Sequence, residues 1–95
     1  MAQIWYLGTM VPEREAPEIE RVQTGLRMEK RLLKVLKGLA ELKDVGLGDL
    51  LEGIVLHAFE GKAPFSKDTI KQIAALKQLY GLSLRASDSH RLREK

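Results

Sequence analysis

Cysteine is absent from the 95 residues, which excludes a disulfide framework, a thiolate metal site and a cysteine nucleophile. No apolar run approaches the ~18 residues that a membrane-spanning helix needs, so a membrane partner is not expected. Proline is confined to Pro12, Pro17 and Pro64, and there is neither an internal repeat nor a low-complexity tract. The first ten residues, MAQIWYLGTM, lack the basic flank and long apolar core of a secretory signal, so a cytoplasmic protein is expected. Histidine occurs only as His57 and His90, without a close set of carboxylates, so no metal site is expected. His57 reads as a residue packed beside an apolar stripe, and His90 falls in a polar tail. Ser66, Ser83, Ser87 and Ser89 have no nucleophile-elbow context, and no glycine-rich phosphate loop of the required spacing occurs. The expectation is a protein without enzymatic activity and without a cofactor.

The chain does contain ordinary globular material, with 44% hydrophobic and 31% charged residues, enough for one small domain. Its net charge of +3 is unevenly spread. Residues 1–20 sum to −3, residues 21–43 to +5, residues 44–60 to −4 and residues 61–95 to +5. A basic block beside acidic ones suits a polyanion-binding face or a solvated helix surface, and charge alone does not decide between them.

Local patterns divide the chain into three parts. Residues 3–10 (QIWYLGTM) are β-prone, and residues 11–20, with two prolines and four glutamates, read as an acidic arm or linker. In residues 21–28 Val22, Thr24, Leu26 and Met28 alternate with Arg21, Gln23, Gly25 and Arg27, the period of a strand with one buried face. From Glu29 the period becomes helical: Leu32, Val35, Leu36, Leu39 and Ala40 share a stripe and Lys30, Lys34, Lys37 and Glu41 lie off it, predicting a helix over 29–43. The segment Asp44-Val45-Gly46-Leu47-Gly48 breaks it. A second helix, beginning near Gly48 and Asp49 and ending at Gly61, has Leu50, Leu51, Ile54, Val55, Ala58 and Phe59 in a stripe broad enough to predict burial. Ser66 as N-cap, Asp68 in the first turn and Gly81 as stop predict a third helix. Residues 85–95 are expected to be a frayed or disordered tail.

A lone strand at 21–28 leaves backbone groups unpaired. It can pair with residues 3–10, as in a monomeric α+β domain, or with the same strand of a second copy. The apolar side chains of residues 21–60 are too few to offset the ordering of about 40 residues, which favours two chains sharing one core.

Gln23-Thr24-Gly25-Leu26-Arg27-Met28, the stripe Leu32, Leu33, Val35, Leu36, Leu39 and Ala40, the turn at 44–48, and Leu51, Val55, Leu56 and Phe59 together resemble the ribbon-helix-helix repressors of the Arc, MetJ and CopG type. The resemblance covers residues 21–60 and rests on pattern. It implies a mainly α fold: an intertwined homodimer with a two-stranded antiparallel ribbon, followed here by a C-terminal helix. It further implies a sequence-specific, DNA-binding transcriptional repressor whose ribbon enters the major groove. On that resemblance Arg21, Gln23, Gly25 and Arg27 would contact bases, and Gly46, Leu47 and Gly48, with Lys30 and Arg31, would contact phosphates. The shared core would hold Leu26, Met28, Leu32, Leu36, Leu39, Leu51, Val55 and Phe59. Gly25 departs from the polar side chain usual at its position, and Gly46 from the usual Ser or Thr cap. The partners implied are double-stranded DNA and a second copy, with higher order on DNA, in the nucleoid. The segment 62–95 lies outside the common core and either packs on the dimer or binds another protein, as the tails of related antitoxins bind their toxins. A helical protein-interaction module without DNA binding is the competing expectation.

Overall fold

The computed structural model describes residues 16–95. The strand expected at 3–10 lies outside the described residues. From Ala16 to Glu29 the chain is an arm without regular secondary structure. Three α-helices follow: α1 (Lys30–Lys43), α2 (Leu47–Phe59) and α3 (Lys67–Tyr80).

Each helix is bounded by local chemistry close to the expected positions. Glu29 caps α1, its carboxylate accepting the Leu32 N–H at 2.7 Å. Asp44 ends α1 in the left-handed conformation (φ 58°, ψ 43°), where its N–H reaches the Ala40 and Glu41 carbonyls. Gly46 precedes α2 in extended backbone and offers no side-chain cap. Ser66 caps α3 by accepting the Thr69 N–H at 3.2 Å, and Gly81 closes it at φ 71°. The Leu82 N–H then bonds the Lys77 carbonyl at 2.9 Å, so two otherwise orphaned groups of the helix end are satisfied.

The central element is α1, which packs along α3 and, through the short 44–46 turn, against α2. Leu39, Ala40 and Leu50 form the buried centre, with Leu36, Val45, Ile54, Phe65, Ile73 and Leu76 packed around it. Gly38 lets α1 and α3 approach: a Cβ there would stand 3.0 Å from a Leu76 methyl and 3.6 Å from the Tyr80 ring. At the far end of α1, Lys43 donates to the buried Thr69 hydroxyl at 2.6 Å, which ties the C-terminus of α1 to the N-terminus of α3.

Three expectations are corrected. First, the chain is not a ribbon-helix-helix fold: among the described residues there is no strand, and residues 21–28 carry no β-ribbon. The alternation is present, but no backbone among the described residues pairs with the arm, and Val22 and Leu26 stand 80% and 66% exposed. A period of two describes which side a residue points to, whereas a sheet also needs a partner. Second, α2 is not largely buried. Its row Leu50 and Ile54 faces the core, while the adjacent row Leu51, Val55 and Phe59 turns away from α1, and Phe59 is 81% exposed. Third, the segment 85–95 is not frayed from its start: a single 3-10 turn spans Ala86–Asp88 after the half-buried Leu82 and Leu84, and the Asp88 carboxylate accepts the Arg85 N–H at 2.8 Å, while residues 91–95 are exposed and without regular structure. These leucines are spaced without helical period because they serve a returning strip of irregular backbone.

Candidate nucleic-acid interface

The four positions expected to contact bases, Arg21, Gln23, Gly25 and Arg27, are all exposed on the arm. They differ in what they meet. Arg21 lies against the first turns of α2: its Nε is 3.0 Å and its Nη2 2.9 Å from the two oxygens of Glu52, and Nη2 is 3.3 Å from Asp49. The hydrogen bond and charge of Glu52 raise the pKa of the guanidinium, and Arg21 in turn holds the Glu52 carboxyl below its usual range. Arg27 pairs with Glu94 near the end of the chain. Gln23 and Gly25 have no hydrogen-bonded partner among the described side chains, and a Cβ at Gly25 would meet nothing.

The expected phosphate contacts do not converge within one chain. Gly46, Leu47 and Gly48 form the start of α2, where the first amide groups of a helix have no intrahelical acceptor. Open space surrounds Gly46 and Gly48, but Asp49 and Glu52 sit one turn further, and their charge opposes an anion unless Arg21 neutralises it. Lys30 and Arg31 lie at the opposite end of α1, roughly 20 Å away along a helix of 14 residues. They belong instead with Lys34 and Lys37. Lys30, Lys34 and Lys37 recur at the spacing of one helix face, and all three are exposed. Among the described residues none of these four cations forms an ion pair with a carboxylate. Lys34 lies 5.8 Å from the centre of the Tyr80 ring, which connects this face to the end of α3.

The residues expected in a shared core fall into three environments. Leu39 is 1% exposed inside the single chain. Met28, Leu36 and Leu51 are half-buried, and Leu26, Leu32, Val55 and Phe59 are exposed. Around α2 the exposed set extends to Leu56.

Neither histidine is placed for metal binding. The ring Nδ1 of His57 is 2.7 Å from the Gly53 carbonyl one turn back, and no cluster of potential metal-binding side chains occurs among the described residues. No helix among the described residues is long and apolar enough to cross a membrane. A feature that sequence reasoning missed is an apolar cleft between α1, α3 and the returning segment 82–92. Its only sequence signal was the set Leu82, Leu84 and Leu92 inside a polar tail, three apolar residues too sparse to sustain a period.

Compared with protein-family models, with curated proteins and with solved structures, the chain matches none.

Proposed function

We propose that the chain is a cytoplasmic, nucleoid-associated regulator of transcription that binds double-stranded DNA as a homodimer. The observation that carries this reading is the face of α1: Lys30, Arg31, Lys34 and Lys37 are exposed and unpaired with carboxylates among the described residues. Cations on one rigid face, 5 to 6 Å apart from turn to turn, can follow a phosphate backbone and release its counterions. The arm supports the reading with exposed Gln23 and Arg27, whose side chains can pair with adenine and guanine edges once Arg27 exchanges Glu94 for a base. The exposed Val22 and Leu26 of the arm and Val55, Leu56 and Phe59 of α2 support a second copy, because exposed apolar side chains of this size gain by burial against a partner. The base contacts proposed are Arg21, Gln23 and Arg27 of the arm, acting without a β-ribbon.

Fluorescence anisotropy with duplex DNA over a salt series is the test. Affinity should fall linearly on a double-logarithmic plot, with roughly 0.9 added to the slope for each phosphate contact. Salt-independent binding, or none at low salt, would refute the reading.

A second reading, a protein-interaction module without DNA binding, is favoured by one specific observation. Arg21 is engaged by Glu52 and Asp49 of its own chain, and a base contact would have to displace them. If selection from a random DNA pool enriches no motif while the chain self-associates, that reading replaces the first.

A further inference from the structure

The cleft between α1, α3 and the C-terminal segment has a volume of about 320 Å3, at the lower end of the range of small-molecule sites. Its floor reaches the centre of the protein. Leu39 belongs to the buried core, and Leu36, Ile54 and Ile73 pack on that core and also line the cleft, with Leu84 and Leu92 opposite them. The rim is of different chemistry. Lys77, in the last turn of α3, and Arg85, at the start of the returning segment, both line it. Neither forms an ion pair among the described residues. The one carboxylate at the rim, Asp88, is engaged by the Arg85 backbone N–H. Two cations and one carboxylate therefore stand around an apolar chamber, which leaves one positive charge in excess.

We propose that this cleft binds a small amphiphilic carboxylate, an aliphatic or aryl acid of medium chain length. The apolar body lies on Leu36, Ile73 and Leu84, where it removes core-lining surface from water. The carboxylate pairs with Lys77 and Arg85. Charge complementarity selects this occupant: an uncharged lipid would leave the excess positive charge without a partner, and a purely ionic ligand would leave the leucine surface wet. Arg85 suits the role because its planar donors match both oxygens of a carboxylate, and Lys77 adds a point charge beside it. The site does not depend on DNA binding and involves neither the basic residues Lys30, Arg31, Lys34 and Lys37 of α1 nor residues 21–27 of the arm.

Methyl NMR of the full chain, titrated separately with octanoate, octan-1-ol and acetate, tests the proposal. Octanoate should shift the methyl signals of Leu36, Ile73 and Leu84 in a saturable way, acetate should not, and octan-1-ol should bind about tenfold more weakly for want of charge-assisted hydrogen bonds. The double substitution of Lys77→Met and Arg85→Met keeps much of each apolar stem, so the fold, followed by circular dichroism, should persist while acid and alcohol become equal. Equal binding of acid and alcohol by the unaltered protein would overturn the proposal. So would shifts confined to other parts of the molecule, or acid selectivity that survives the double substitution. A cleft filled by a second copy would shift these methyl signals with protein concentration and leave them indifferent to octanoate, which also overturns it.

Discussion

Arg21 in the arm grips both carboxylate oxygens of Glu52 in α2, 31 residues further along the chain. The pair holds a segment without secondary structure against a helix, and it does so at the surface, where solvent screens it. Substituting Glu52→Gln should leave thermal stability nearly unchanged. It should release the arm, seen as lower backbone 15N order parameters over residues 20–24. Under the DNA-binding reading the same change frees Arg21 for phosphate, so duplex affinity should rise. A marked loss of melting temperature would show that the pair supports the whole fold.

Acid titration should report two carboxylates. The Leu32 N–H holds the Glu29 carboxyl below its usual range, and Arg21 does the same for Glu52. A depressed folded-state pKa contributes stability that is present above the unfolded value, near ~4.3, and is lost as the pH falls through the folded value. Joint Glu29→Gln and Glu52→Gln substitution should therefore flatten the decline of melting temperature below about pH 4.5. An unchanged slope would remove these groups from the acid response.

Leu39 and Phe59 are both apolar residues of helices, yet their truncations should be read out differently. Leu39→Ala empties a site that is 1% exposed and should cost about 2 to 5 kcal/mol in chemical denaturation. Phe59→Ala removes a side chain that is 81% exposed, so the monomer should lose little. Self-association, followed by sedimentation equilibrium, should weaken instead. If Phe59→Ala changed monomer stability as much as Leu39→Ala, the outer row of α2 would be part of the intramolecular core.

The close approach of α1 and α3 depends on Gly38. Glycine within a helix ordinarily costs about 1 kcal/mol relative to alanine, and here it is kept where a Cβ would lie 3.0 Å from Leu76. Gly38→Val adds two further carbons against Leu76 and Tyr80 and should destabilise by about 1 to 3 kcal/mol. A neutral result would show that the α1–α3 contact yields easily.

Replacing Lys30, Lys34 and Lys37 together by Ala should lower the salt slope of duplex binding by roughly 3, close to one unit per lost phosphate contact. Helix content should persist, since alanine favours helix. An unchanged slope would move the proposed contact away from α1.

The helices were legible because their signals are local. Glu29, Asp44, Ser66 and Gly81 act within one turn of their own positions, and the apolar rows of α1 and α3 recur at the helical period whatever lies opposite. The candidate contact residues were legible only as a set of types. Arg21, Gln23, Gly25 and Arg27 were read as one row, and the fold gave the two arginines separate intramolecular partners, Glu52 and Glu94, at separations no periodicity encodes. The same limit applied to the phosphate positions, since Lys30 and the 46–48 turn are joined in sequence by the helix that holds them apart.

The amino-acid sequence by itself therefore determined where three helices begin and end, the position of the basic face on α1 and the absence of cysteine chemistry. Tertiary structure alone decided that the 21–28 alternation stays unpaired, which row of α2 meets the core and which meets solvent, and that the polar C-terminal segment returns to wall a cleft. The physical reason is one of range. Capping and helical periodicity are settled among residues a turn or two apart, whereas strand pairing, choice of buried face and closure of a cleft require surfaces that distant segments must bring.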